Sequence, residues 1–280
     1  PTIQIDSLFW MWDTISSNML NSRAYFIQNF YGVEKQLEKF KTQLKNPIIT
    51  GPIIKDPPSN IKKKNKILIN LGGMESKSIK VGSNTKYPYV ITQILDKVLS
   101  KSNYDEIICA GNKDVLEKIK IEQSKIKFKF FDHDEFLKEI GESEIMITSP
   151  GLTATFEAFN AQTPVFFLPP QNFSQYWNLD TFKEKGIAKH AINWNDLYDA
   201  NLIKNEEQSI GIQKVLKCAK KFEKDPKAWD KVGNAISRMA NSSAEELKQI
   251  KSNQKKYFDS LGGNGAKEIA NKIEQILSEG

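Results

Sequence analysis

The sequence predicts an α/β protein built on a Rossmann-like parallel sheet. Between residues 66 and 190, short apolar segments alternate with segments whose apolar residues recur every three to four positions, the pattern of βαβ units. The short segments, such as KILINL (66–71), EIICA (106–110) and PVFFL (164–168), are apolar nearly throughout, as strands covered on both faces must be. No period of about 20–50 residues repeats, which excludes solenoids and propellers.

In chain order, IQID (3–6) reads as a short strand, followed by the aromatic cluster Leu8-Phe9-Trp10-Met11-Trp12. AYFIQNF (24–30) reads as a second strand. Val33, Leu37, Phe40 and Leu44 share one helical face, so 33–44 reads as a helix. Residues 46–54 are extended, and KDPPSNIKKKNK (55–66) has the Pro, Ser, Asn and Lys content of a linker. The expected domains are therefore 1–54 and 67–280. Beyond the linker, strands are expected at 66–71, 106–110, 126–131, 144–148 and 164–168, with a further short one at 187–190. Helices are expected at 87–99, 114–121, 134–140, 153–160 and 174–185, and then only helices follow, at 206–223, 226–251 and 265–277. Because the opening residues already read as a strand, the chain is expected to be a cut product of a longer one.

The 280 residues carry 40 basic and 34 acidic side chains, a net charge of +6. Arg23 and Arg238 are the only arginines, and the lysines are scattered rather than interleaved with aromatics. That disfavours nucleic-acid binding, which relies on arginine for bidentate readout and on aromatics for stacking. The longest apolar run is 8–12, whereas a membrane span needs about 20 residues, so no transmembrane segment is expected. Cys109 and Cys218 stand alone in apolar segments and read as reduced core residues of a cytoplasmic protein. With His133 and His190 as the only histidines, no zinc spacing exists and no metal site is expected.

In a doubly wound sheet, ligands bind at the carboxyl ends of the strands. Those ends hold Gly72-Gly73-Met74-Glu75-Ser76, Gly111-Asn112, Phe131-Asp132-His133, Ser149-Pro150-Gly151-Leu152-Thr153 and Pro169-Pro170-Gln171-Asn172. Gly72-Gly73 is either a plain tight turn or a loop whose amides approach a phosphate. It matches neither GxGxxG nor a P-loop, which removes support from dinucleotide binding and ATPase chemistry. Ser149 and Thr153 either cap the following helix or join Gly151 and the helix N-terminus around a diphosphate. Glu157, one turn further, is either a solvated helix carboxylate or an acceptor for both hydroxyls of a ribose. Gln175 and Asn178 share a helix face, and with Gln171 they are suited to sugar hydroxyls or to lining a helix end.

The stretch GLTATFEAFNAQTPVFFLPPQNFSQYWN (151–178) resembles the donor-binding signature of GT-B glycosyltransferases, and among them the family 28-like transferases that add N-acetylglucosamine to lipid-linked muramyl-pentapeptide. The resemblance extends over about residues 47–280, through the loop 72–76 and the tail GAKEIA (265–270). It differs in having one residue fewer between Gln171 and Gln175. It implies a GT-B fold with a complete donor domain and a partial N-terminal, acceptor-side domain. It further implies a donor diphosphate at Gly72, Gly73, Ser76, Ser149, Gly151 and Thr153, a ribose at Glu157, and a sugar at Gln171, Gln175 and Asn178. The tail helix is implied to pack back towards the N-terminal domain.

The activity so implied is metal-independent transfer from a UDP-sugar, acting as co-substrate with no other cofactor. The acceptor is a small molecule or a lipid-linked one, with a partner chain completing its site. Asp6 and His133 are the candidates for the general base. Two alternatives share the fold: a non-catalytic nucleotide-sugar-binding or interaction module, and a nucleotide-sugar epimerase or hydrolase.

Overall fold

The computed structural model describes residues 2–74, 85–119, 121–204 and 206–278. The chain divides into two compact units, one of Pro1–Asp56 with Lys255–Gly280 and the other of Pro57–Gln254.

The first unit holds a parallel three-stranded sheet, ordered β1 (Ile3–Asp6), β2 (Ala24–Gln28), β3 (Pro47–Thr50). β2 is central and buried at every position. A 3-10 turn (Phe9–Met11), α1 (Ser17–Leu20) and α2 (Val33–Phe40) lie between the strands in sequence. On one face Phe9 meets Tyr25 edge-on at 5.8 Å and Phe40 at 6.3 Å, so Phe9 and its buried neighbour Trp10 are core, whereas Leu8, Met11 and Trp12 are half-buried. On the other face, Ala24 and Phe26 pack with Ile269 of α12 (Ala266–Ser278), with Ile273 and Ile276 continuing its apolar stripe. This revises the expected boundary: residues 255–280 cluster with the first unit rather than with 67–254, because α12 buries its isoleucines on that sheet. The approach of the 51–52 and 262–265 backbones requires glycine, since a Cβ on Gly51 would lie 2.0 Å from the Gly263 carbonyl oxygen.

The second unit holds a parallel five-stranded sheet, ordered β6-β5-β4-β7-β8. Its strands are β4 (Lys64–Asn70), β5 (Glu106–Ala110), β6 (Ile126–Lys129), β7 (Ser143–Thr148) and β8 (Val165–Phe167). The intervening helices are α3 (Tyr87–Leu99), α4 (Lys113–Ile119), α5 (His133–Glu142), α6 (Leu152–Asn160) and α7 (Phe173–Glu184). After them come α8 (Trp194–Leu197), α9 (Gln208–Phe222), α10 (Pro226–Ala240) and α11 (Ala244–Ser260).

Three differences from the sequence reading have local causes. Residues 64–66, read as linker, begin β4, where Lys66 is buried against Glu139 at 2.6 Å and Glu142 at 3.1 Å. The strand expected at 187–190 is absent. The Gln254 side chain instead accepts from the Val165 amide and donates to the Val165 and Ile187 carbonyls, occupying the edge of β8, and His190 turns the chain at φ 59°. The helix expected over 226–251 breaks after Ala240, where the Asn241 side chain bonds the Ser237 carbonyl and Ser243 Oγ accepts from Glu246 to start α11.

Candidate functional site

The chain leaves β4 towards β5 and β6 on one side and later towards β7 and β8 on the other. The strand order therefore reverses between β4 and β7, and in sheets of this kind ligands bind at the carboxyl ends of the strands flanking that point. Asn70 and Thr148 are register partners at those ends, and Asn70 Nδ2 donates to Thr148 Oγ1 at 3.0 Å. Asn70 Oδ1 also accepts from the Gly72 amide at 3.0 Å, so this one side chain ties the two loops that leave the switch point. Sequence reasoning passed over Asn70; the signal was a polar residue closing an otherwise apolar strand.

Gly73 sits in the left-handed region at φ 71°, which favours glycine. Its carbonyl accepts from Gln171 Nε2 at 2.6 Å. The Gln171 amide donates to Gln175 Oε1 at 3.0 Å, and Asn172 caps α7 by accepting from the Gln175 amide at 2.9 Å. One turn on, Asn178 Nδ2 donates to the Pro150 carbonyl at 2.8 Å. Gly73, Pro150, Gln171, Gln175 and Asn178 are thus joined through the start of α7. The Tyr87 phenol donates to the Pro169 carbonyl at the end of β8, and burial pushes its pKa far above the ordinary tyrosine range. Ser76 lies outside the described residues.

The N-cap of α6 is Gly151, and no side chain caps the helix, so Ser149 and Thr153 do not perform the capping role open to them from sequence. A Cβ on Gly151 would meet nothing within 4 Å, which leaves open space before the first turn of α6. Thr153 is exposed at that turn. Ser149 Oγ, Gln171 Oε1 and Asn178 Oδ1 are buried without a hydrogen-bond partner among the described residues. Buried polar atoms are seldom left unpaired, and these three can accept from a ligand. Helix amides without a side-chain cap, glycine loops and amide side chains around one switch point suit an oxyanion joined to a polyhydroxyl group.

Glu157 is almost wholly buried, its side chain 2% exposed, and His133 Nε2 lies 2.7 Å from its Oε1. His133 opens α5, the crossover that returns the chain from β6 to β7, and its side chain is 54% exposed. His133 is therefore brought to the Glu157 carboxylate rather than standing apart as a base. The other candidate base, Asp6, lies in the first unit. Its carboxylate accepts from the Leu8 amide (2.7 Å), Trp12 Nε1 (2.7 Å) and the Tyr25 hydroxyl (2.6 Å), which makes it a local brace for the aromatic cluster. Among the described residues no three His, Cys, Asp or Glu side chains are grouped to hold a metal ion. Among those residues no helix is long and apolar enough to cross a membrane.

No family model matches the chain. A processive diacylglycerol beta-glucosyltransferase of Staphylococcus epidermidis is 28% identical over 130 residues, covering 45% of this chain and 33% of that protein. The match thus spans about one third of that relative's length. Among solved structures, Arabidopsis thaliana UGT89C1 complexed with UDP-L-rhamnose aligns over 97% of this chain and 63% of its own, with a TM-score of 0.50 at 12% identity. The S. aureus MnaA–UDP structure aligns over 87% of this chain and 63% of its own, with a TM-score of 0.43 at 17% identity.

Proposed function

The chain has the α/β, parallel-sheet GT-B fold of UDP-sugar glycosyltransferase structures, and on that fold we propose that it carries the donor site of a glycosyltransferase. The observation that carries this reading is Glu157, a carboxylate buried one turn below the uncapped N-terminus of α6 at the switch point of the sheet. A diphosphate seated on Gly72, Gly73, Ser149, Gly151 and Thr153, with Ser76 from the same loop, places the ribose diol at Glu157. The sugar then falls to Gln171, Gln175 and Asn178, two of which have an unpaired buried oxygen.

In this reading the α6 N-terminus and the hydroxyls stabilise the departing nucleoside diphosphate, doing so electrostatically. The UDP-sugar enters as co-substrate, and no resident cofactor is assigned. Neither Asp6 nor His133 is proposed as the general base, since hydrogen bonds commit both to other roles. A small-molecule or lipid-linked acceptor and a partner chain on the acceptor side belong to the same proposal. The glucosyltransferase named among the relatives supports it. A cytoplasmic location is supported by Cys109 and Cys218, both buried and free.

Calorimetric titration of the chain with UDP, ADP and GDP tests the site. UDP is expected to bind, and Glu157→Ala to weaken it by about 1–3 kcal/mol through loss of buried hydrogen bonds. A folded sample that binds none of the three overturns the assignment and leaves an interaction module. UDP binding unaffected by the substitution overturns the role of Glu157.

A further inference from the structure

Lys63 stands just before β4, at the amino-terminal end of the five-stranded sheet, and takes no part in the site at the carboxyl end. The residue keeps access to solvent, yet its amine is part-buried and tied to two acceptors. Nζ donates to the Ser143 carbonyl at 2.9 Å and to Thr163 Oγ1. Thr163 Oγ1 gives its own hydrogen to the Ile140 carbonyl at 2.7 Å, so towards Lys63 it only accepts. A neutral amine has two hydrogens and a lone pair, and these two acceptors use both hydrogens. An ammonium carries a third hydrogen, for which neither bond accounts.

The same amine lines a cavity of about 200 Å³. A water takes up about 30 Å³, so the space seats a molecule of a few atoms. Pro164 and Leu247 give it apolar walls, and one face of α11 adds Lys248 and Lys251. Glu144 is the acid among the described residues that line it. Burial first, and then the charge of Lys251, push the Lys63 pKa down to about 8, with Lys66 acting the same way and Glu144 opposing. About half of such an amine is neutral at about pH 8.

From this arrangement we infer that Lys63 is a site for carbon dioxide: its neutral amine takes up the gas as a carbamate, whose negative charge faces Lys248 and Lys251. The Nζ lone pair attacks the carbon, the N–C bond forms, and one C=O electron pair moves onto oxygen. The amine proton passes to water, so the products are a carbamate anion and hydronium. The two lysines act in the same direction twice. As like charges they disfavour the ammonium, and as opposite charges they favour the carbamate. Glu144 acts against both effects. The site is independent of the donor-site reading, since it lies at the other end of the sheet.

The test equilibrates the full chain with isotopically labelled bicarbonate at about pH 8. Carbamates are trapped as ethyl esters with triethyloxonium, and the labelled lysines are located by peptide mass spectrometry. Lys63 is expected to be labelled about tenfold or more above exposed lysines, which remain ammonium at that pH. Lys251→Gln is expected to lower the Lys63 label by about threefold or more, and Glu144→Gln to raise it, with thermal unfolding showing both variants folded. Labelling of Lys63 no stronger than that of other lysines overturns the inference. Strong labelling that neither substitution moves also overturns it, since the surrounding charges would then play no part in holding the carbamate.

Discussion

At the amino-terminal end of the five-stranded sheet, Lys66 of β4 is 1% exposed, and its ammonium is held by Glu139 and Glu142, with Lys64 adding a second contact to Glu142 at 2.6 Å. At the carboxyl end of the same sheet, Ser149, Gln171 and Asn178 are as deeply buried, yet each keeps an oxygen without a partner among the described residues. One end closes its polar groups on each other and the other leaves them open. Burying charge is tolerated only when it is paired, so the closed end serves stability. Orphaned polar atoms weaken a fold, so Ser149, Gln171 and Asn178 contribute nothing to stability through those oxygens and are open to a partner from outside.

The largest expected effect probes the closed end. Lys66→Met leaves Glu139 and Glu142 without their buried partner and is expected to destabilise the fold by about 3–5 kcal/mol in urea unfolding. A loss below about 1 kcal/mol would break the comparison, because the ion pairs would then be ornament. Acid acts on the same cluster more mildly, through Glu142. Burial raises the Glu142 pKa, but hydrogen bonds to Lys64 and Lys66 outweigh it and hold the value below the usual carboxylate range. A depressed folded pKa gives stability that is complete above the unfolded value and lost as pH falls through the folded one. The unfolding midpoint is therefore expected to drop below about pH 4, and to drop less in Glu142→Gln. The smallest effect probes the open end. Ser149→Ala removes an unpaired hydroxyl, so stability is expected to stay within about 0.5 kcal/mol while UDP binding weakens by about 0.5–1.5 kcal/mol. Destabilisation without a change in UDP binding would show that Ser149 belongs to the core.

Most of the second unit was legible because its strands are short apolar runs ending in glycine, serine or proline, and local pattern is enough to locate them. The residues of the switch-point loops were legible for the same reason, since strand ends can be counted along the chain. The unseen strand at 187–190 shows the limit: the apolar pattern was present, but Gln254 supplied the edge pairing from far along the sequence. The break between α10 and α11 was present as Asn241-Ser242-Ser243 with Glu246, a cap signal outweighed by the helical periodicity on either side.

The sequence by itself determined the class of fold, the order of most of its elements and which residues stand at the strand ends. All of these follow from periodicity and turn chemistry within a few residues. Only the tertiary structure decided that Tyr25 joins the brace at Asp6 and that the half-exposed His133 reaches Glu157. The physical reason is common to both. Each is a choice of partner between residues on different elements, made when crossovers and sheet order bring surfaces together, and no local pattern encodes which partner a buried group will find.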